Sequence, residues 1–400
     1  MKKRIFIAMH YLEIGGAEAS LIGMLQSFDY TKVDVDLFLY SHQGAFMPLI
    51  PPQVNLLPEE PSYALAESDW KTCLKAGHLR QAVAAIIAKV KMAIYVRRNK
   101  VTDFGSWFSF TGLEMTKVLP SLRHLGHYDL AISFVVPHRY VLDKVDAARK
   151  VGWIHTDYTK TDPCREVDFS MWNRLDKIVS ISDDVTKSFL SVFPEFKDKI
   201  VVIENILSPE FVRQRAEQST AEEYLEARQK GRKILCTMGR ITPQKNFDNL
   251  PYMAKGLKDR GVDFHWFILG PGDASQMNRL SAELGVADRV SFIGPRANPY
   301  PYVKNCDVYV QPSRFEGKSV AVREAQILGK PVVITNYATA SCQVKDGLDG
   351  MIVPLDNDAI AHGLANLLKD PHRQEELFNY LANHDFGNVN EVGKIYNLVV

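Results

Sequence analysis

Val308-Tyr309-Val310, then Arg314-Phe315-Glu316-Gly317-Lys318-Ser319-Val320-Ala321-Val322-Arg323-Glu324-Ala325, then Gly329-Lys330-Pro331-Val332-Val333-Ile334, is the stretch that settles how the chain folds. The two apolar triplets read as short buried strands, and Gly329-Lys330-Pro331 reads as a helix stop. Between them lie a loop carrying Glu316 and Gly317 and a helix starting near Ser319, with Glu324 inside it. A helix start with open N–H groups, beside a glycine that lets backbone approach closely, suits an anion such as a diphosphate. From Ser319 to Glu324 the helix climbs roughly 7–8 Å, about the reach from a diphosphate to its ribose. One carboxylate before the helix and one along it could hold hydroxyls at both ends of such a ligand. Two surface glutamates beside an ordinary helix would show the same spacing.

Working outward, strand-like runs alternate with helical stretches along the whole chain. Val33 to Tyr40, Leu130 to Val136, Val151 to Ile154 and Lys177 to Ile181 read as strands of a first half. Ile234 to Met238, Phe264 to Leu269, Val290 to Phe292, Val308 to Val310, Val332 to Ile334 and Met351 to Val353 read as strands of a second. Alternation of this kind predicts an α/β protein with parallel sheets covered by helices on both faces. The stretch from Asn205 to Arg232 is polar and charged and reads as a linker plus a helix. Two doubly wound, Rossmann-like domains are therefore expected, 1–205 and 206–400, with the last helix packing back on the first. Ligands in such folds bind in the cleft outside the carboxyl ends of the strands.

The 400 residues suffice for two cores, and a net charge of +1 with 24% charged and 46% hydrophobic residues describes a soluble globular protein, not a nucleic-acid binder. Cys73, Cys164, Cys236, Cys306 and Cys342 are odd in number and widely spaced, which disfavours a disulfide or metal framework and points to the cytoplasm. Lys2-Lys3-Arg4 before Ile5-Phe6-Ile7-Ala8-Met9 imitates a secretory leader. The run is short and broken by His10 and Glu13, so it reads as a buried first strand. No run reaches the ~20 apolar residues that span a bilayer.

Glu316 and Glu324, with seven residues between them and set within Phe-Glu-Gly and Arg-Glu-Ala, resemble the E-x7-E motif of retaining GT-B glycosyltransferases of family 4, the glycosyl transferases group 1. Gly15-Gly16-Ala17-Glu18 after the first strand is similar to the family's phosphate-approach loop. Gly239-Arg240 with Lys245-Asn246-Phe247 resembles its diphosphate segment, and Asp346-Gly347 through Gly350-Met351-Ile352-Val353-Pro354 its late turn. The resemblance covers nearly the whole chain and is specific to a family, not to a substrate. It implies a GT-B architecture, with an acceptor-side first domain and a donor-side second domain facing across a cleft. It also implies transfer of a sugar, with retention, from a nucleotide diphosphate sugar (UDP rather than GDP) to a saccharide or lipid-linked acceptor. Glu316 would hold the sugar, Glu324 the ribose, and Arg240 with Lys245 the leaving diphosphate. Gly16, Gly317, Lys318, Ser319 and Val320 would also line the donor site, and Gly270 and Pro295 the base and ribose. His155, after Trp153-Ile154, would contact the donor sugar, and Asp157 and Tyr158 would face the acceptor. Taken alone, a single histidine, a Gly-Gly pair or a strand-end Gly or Pro is as readily structural.

No residue is an obvious covalent nucleophile, so a front-face transfer is implied. Asp34-Val35-Asp36 is a D-x-D, but it sits within an early strand-like run. With two cations and a helix start for the diphosphate, the expectation is a metal-independent enzyme without cofactor. Where many relatives carry Gly-Gly after Thr335, this chain reads Asn336-Tyr337-Ala338-Thr339-Ala340-Ser341, and that loop has no assigned role. A nucleotide-sugar epimerase of the same fold and a non-catalytic nucleotide-sugar binder are the alternatives. His78 to Lys100 combines Val83, Ile86, Ile87, Val90, Ile94 and Val96 with Arg80, Lys89, Lys91, Arg97, Arg98 and Lys100. This is either a domain helix with its apolar stripe in the core or a helix resting on an anionic membrane at the cytoplasmic face.

Overall fold

The structure, a computed structural model, describes residues 2–101 and 104–399. The chain divides into two compact units: Met1–Ile206 with Asn388–Val400, and Leu207–Gly387. Each is built around one all-parallel sheet.

In the first unit the strands are β1 (Lys3–Met9), β2 (Val33–Leu39), β3 (Asn55–Leu56), β4 (His127–Ser133), β5 (Asp146–Ile154), β6 (Lys177–Ser180) and β7 (Ile200–Val202), in the order β3-β2-β1-β4-β5-β6-β7. The run that imitates a leader is the central strand β1, paired with β2 and β4. Ile5 to Met9 are at most 2% exposed, which explains a nearly unbroken apolar run. Asp34 and Asp36 of the D-x-D have structural partners. Asp34 pairs with Lys2, while Asp36 accepts from Arg4, from the Tyr128 hydroxyl at 2.6 Å and from Asn55.

In the second unit β8 (Lys233–Met238), β9 (Phe264–Leu269), β10 (Val290–Gly294), β11 (Val308–Gln311), β12 (Val332–Thr335) and β13 (Gly350–Val353) run in the order β10-β9-β8-β11-β12-β13. Side chains alternate between two apolar layers, as a period of two requires. Leu235, Trp266, Val308, Val310 and Val333 join one layer, under the helices Leu250–Asp259 and Asn357–Lys369. Ile234, Cys236, Phe267, Tyr309, Val332 and Ile334 join the other, with Val322 and Ala325 of the helix Val320–Ile327.

The stretch read as a linker plus a helix holds two short helices, Pro209–Ala216 and Leu225–Gln229, just after the division between the units at Ile206. The helix Pro209–Ala216 buries Val212 and Ala216 against Tyr300 and Ile327, and Tyr224 and Ala227 enter the second core layer. Its polar composition belongs to the solvent side of short helices. All five cysteines are free thiols, and only Cys342 is exposed.

In both units the strand order reverses beside the first strand, between β1 and β4 and between β8 and β11. At such a switch point the loops leaving neighbouring strands splay apart and leave a crevice at the carboxyl ends.

Candidate functional site

In the second unit the loop after β8 carries Gly239, Arg240 and Lys245, and the loop after β11 carries Ser313 to Ser319. β8 and β11 are paired, with Tyr309 opposite Cys236, so these loops emerge side by side. Their backbones are joined where the Arg314 N–H donates to the Gln244 carbonyl at 2.8 Å. Lys245 and Glu316 thereby meet: Lys245 Nζ lies 2.6 Å from Glu316 Oε1. The carboxylate side chain is 7% exposed and the lysine 18%. Oε1 also accepts from Ser313 Oγ at 2.6 Å and Gln311 Nε2 at 3.3 Å, and Oε2 from Gln244 Nε2 at 3.3 Å. Gln311 is in turn held by the Tyr309 hydroxyl at 2.7 Å. A carboxylate taken out of water needs such donors, and these fix its direction.

Arg240 is exposed, and among the described residues its guanidinium has no hydrogen bond or ion pair. Gly239 packs under Lys245, whose Cε would lie 3.2 Å from a Cβ at that glycine.

The helix Val320–Ile327 starts beside this pair. Its N-cap, Ser319, makes no side-chain cap hydrogen bond, is 5% exposed, and its hydroxyl has no partner. Ordinarily an N-cap serine spends that oxygen on the first-turn N–H groups. The Ser319 backbone is instead clamped by Gln343, whose Oε1 accepts from the Ser319 N–H at 3.1 Å and whose Nε2 donates to the Ser319 carbonyl. The loop that lacks Gly-Gly also supports the site, because Thr339 Oγ1 donates to the Glu316 carbonyl at 2.9 Å. Gln244, Gln311, Ser313, Thr339 and Gln343 were not expected from sequence. Only the oddity of the loop after Thr335 hinted at any of them.

Glu324 lies apart from this cluster. It is 7% exposed, and its Oε1 accepts from the Tyr300 hydroxyl at 2.8 Å. Burial raises its carboxyl from 4.5 to about 7, with the Tyr300 bond opposing the shift. Gly317 and Lys318 occupy the loop before Ser319, and Val320 is the first helical residue.

The structure gives Gly270 a packing reason. Its φ is +146°, and a Cβ would sit 1.9 Å from the Gly239 carbonyl oxygen, while its N–H donates to Gly294. It therefore braces the loop that carries Arg240 and Lys245. Pro295 follows β10, and its neighbour Arg296 is engaged by Glu223 at 2.6 Å and by the Tyr302 hydroxyl.

In the first unit a cavity of about 250 Å³ opens at the β1/β4 switch point, lined among others by His10, Glu18, Val136, His155, Tyr158 and Asp168. His155 leaves β5, packs its ring 4.7 Å from Phe134, and is pushed down to about 4 by burial. His10 is likewise lowered to about 4 by burial. Its Nε2 is 3.0 Å from Glu67, whose carboxyl burial raises to about 8. Burial also raises Asp168 to about 7, although Ser109 Oγ donates to it at 2.7 Å. His10, Glu67 and Asp168 were not expected from sequence. Tyr158 lines the cavity mainly as a core ring against Phe189 and Trp172, and Asp157 caps the turn Tyr158–Lys160 through Thr159. Gly15 is the N-cap of the helix Gly16–Ser27, and a Cβ on Gly16 would meet no atom within 4 Å.

The two parallel sheets, each wound outward from its first strand, define a GT-B fold, and solved glycosyltransferases share it. HepE of Anabaena, solved with UDP and glucose, superposes with a TM-score of 0.65 at 16% identity, covering 99% of this chain and 98% of that one. Residues 221–384 match the family of glycosyl transferases group 1, so the stretch that bears the Lys245–Glu316 pair resembles that family. Among individual relatives, 142 residues are 29% identical to the UDP-Gal:alpha-D-GlcNAc-diphosphoundecaprenol alpha-1,3-galactosyltransferase of Escherichia coli, over 34% of this chain and 37% of that protein. A further 27% identity over 150 residues links it to the alpha-D-kanosaminyltransferase of Streptomyces kanamyceticus, over 36% and 39%. The matches therefore span well under half of these two relatives.

Proposed function

We propose that the protein is a glycosyltransferase that moves a sugar from a nucleotide diphosphate sugar to a saccharide or lipid-linked acceptor, in surface polysaccharide or glycolipid synthesis. The observation that carries this reading is the pairing of Lys245 with a nearly buried Glu316 beside an uncapped helix start. Such a site offers charge of both signs: a cation and open N–H groups for phosphate, and a fixed carboxylate for sugar hydroxyls. The UDP donor in the name of the Escherichia coli relative, and the UDP with which HepE was solved, favour UDP over GDP.

In this mechanism the bond between the anomeric carbon and the β-phosphate oxygen breaks, and negative charge grows on the leaving diphosphate. Lys245, held by Glu316, and the first-turn N–H groups from Val320 onward are in place before reaction, which is how charge development is stabilised without reorganisation, and the exposed Arg240 adds its charge when the diphosphate binds. Gly317 and Lys318 shape the phosphate loop. Glu316 orients the sugar, Tyr300 presents Glu324 to the ribose, and Pro295 borders the base. The acceptor hydroxyl enters on the face the diphosphate leaves, bonds to the anomeric carbon and passes its proton to the departing β-phosphate oxygen, giving retention, and Lys245 with Arg240 removes the need for a metal. The first unit supplies the acceptor side, with His155 and Tyr158 in the wall of its cavity. The cytoplasm is the compartment, where free thiols persist.

The test is a panel of UDP- and GDP-sugars incubated with the purified chain, with and without an acceptor extract. Label should move to the extract only when the extract is present. Conversion of the donor without acceptor would make the protein an epimerase, and binding without turnover a carrier.

A further inference from the structure

The helix Leu79–Asn99 packs on the helix Phe104–Val118 through small residues: Ala82, Ala84 and Ala88 are at most 4% exposed. Its large apolar residues face the other way. Leu79, Val83, Ile86, Ile87, Val90 and Ile94 are between 40% and 64% exposed. At 3.6 residues per turn these six fall within a stripe about 100° wide, opposite the alanine face and about 22 Å long. The alternative with the apolar stripe in the core is therefore not what the fold shows.

The flanks of the stripe are basic on both sides. Arg80, Lys91 and Arg98 lie along one edge and Lys89 along the other, and Lys100 is the C-cap at the end of the helix. Lys91 is held by Glu114 at 2.7 Å. Arg80, Lys89, Arg98 and Lys100 form no ion pair among the described residues. The helix contains no Asp or Glu.

We propose that this face is a docking surface for an anionic lipid bilayer, with the helix lying in the plane of the interface. Charge complementarity selects the occupant. A bilayer surface meets both basic edges at once while the aliphatic stripe enters the acyl boundary, and lysine stems bend their ammonium groups back to the headgroups. A second copy of this chain would set two purely basic edges against each other. A helical protein partner selected by paired edge charges would call for both signs. No helix among the described residues is long and apolar enough to cross a membrane, so the contact is peripheral. This surface is independent of the donor site, and its failure would leave the glycosyltransfer reading intact.

The experiment is co-sedimentation of the full chain with vesicles of equimolar phosphatidylglycerol and phosphatidylcholine, and with phosphatidylcholine alone. The wild type should pellet with the anionic vesicles only, and high salt should release much of it. Arg80→Gln/Lys89→Gln/Arg98→Gln and Ile87→Ser/Val90→Ser should each lower the partition coefficient by at least about tenfold. Both variants change exposed positions, and unchanged circular dichroism verifies their fold. The proposal is overturned if the wild type stays in the supernatant or if the charge variant pellets equally. It is also overturned if the wild type is a dimer that Ile87→Ser/Val90→Ser converts to monomer, because the stripe then belongs to a second copy.

Discussion

Replacing Lys245 by Met should destabilise the second unit and weaken nucleotide binding together, because one ammonium serves both. In the free protein Glu316 Oε1 receives Lys245 Nζ at 2.6 Å and Ser313 Oγ at 2.6 Å, with weaker amide contacts at 3.3 Å from Gln311 and Gln244. Removing the lysine leaves a carboxylate that is 7% exposed with neutral donors only. Breaking a fully buried pair this way costs roughly 3–5 kcal/mol. Three surviving donors and a lysine that is 18% exposed bring the figure down to about 2 kcal/mol. For a unit of this size that is a fall of roughly 4–8 °C in the calorimetric midpoint. Glu316→Gln in the same chain removes the stranded charge, so the double variant should recover at least about 1 kcal/mol relative to the sum of the singles. UDP titrated into Lys245→Met should bind about tenfold or more weakly. A midpoint within about 1 °C of wild type and strictly additive singles would show that the ammonium does not hold the carboxylate in this way.

Arg240→Ala should leave thermal stability unchanged, since its side chain is exposed and unengaged, yet weaken UDP binding by roughly tenfold or more in calorimetry. EDTA in the same titration should not alter the wild-type isotherm. Gly270→Ala should cost about 2–3 kcal/mol or more and abolish UDP binding, because its Cβ would meet the Gly239 carbonyl oxygen at 1.9 Å. Glu324 sets a pH dependence. Its folded pKa of about 7 lies above its ordinary 4.5, so the stability from keeping it neutral is complete below about pH 4.5 and lost as pH rises through 7. Melting curves between pH 5 and 8 should therefore separate wild type from Glu324→Gln, the variant losing on the order of 2–3 kcal/mol less across the window.

The architecture was legible because buried parallel strands are apolar on both faces. Ile5 to Met9, Ile234 to Met238 and Phe264 to Leu269 announce themselves as runs that no surface would tolerate. β3 and β7 escaped because two or three residues at a sheet edge carry no periodicity. In Asn205–Arg232 the polar composition showed a helix but not its packing, because short amphipathic helices expose more polar residues than they bury. In the site, Lys245 and Glu316 stand 71 residues apart, and only the resemblance to a family's motifs could join them. The neutral residues that orient them, such as Ser313, Gln311 and Gln343, have no sequence signature, since their role comes from topology. His10, Glu67 and Asp168 were hidden for a related reason: burial makes their charge states unusual, and burial of a polar residue cannot be read from its letter. The Leu79–Asn99 stripe was legible as a pattern, but only the structure shows which face is covered.

Whether Glu316 handles the sugar is read most directly from transfer of a radiolabelled sugar from the UDP-sugar that binds best, with wild type and Glu316→Gln compared in EDTA at equal folded concentration. Wild type should release UDP and move label into the acceptor fraction. The variant, retaining circular dichroism and UDP affinity within about tenfold, should do so at least about a hundredfold more slowly. Equal rates for the two proteins would mean that Glu316 has no part in handling the sugar.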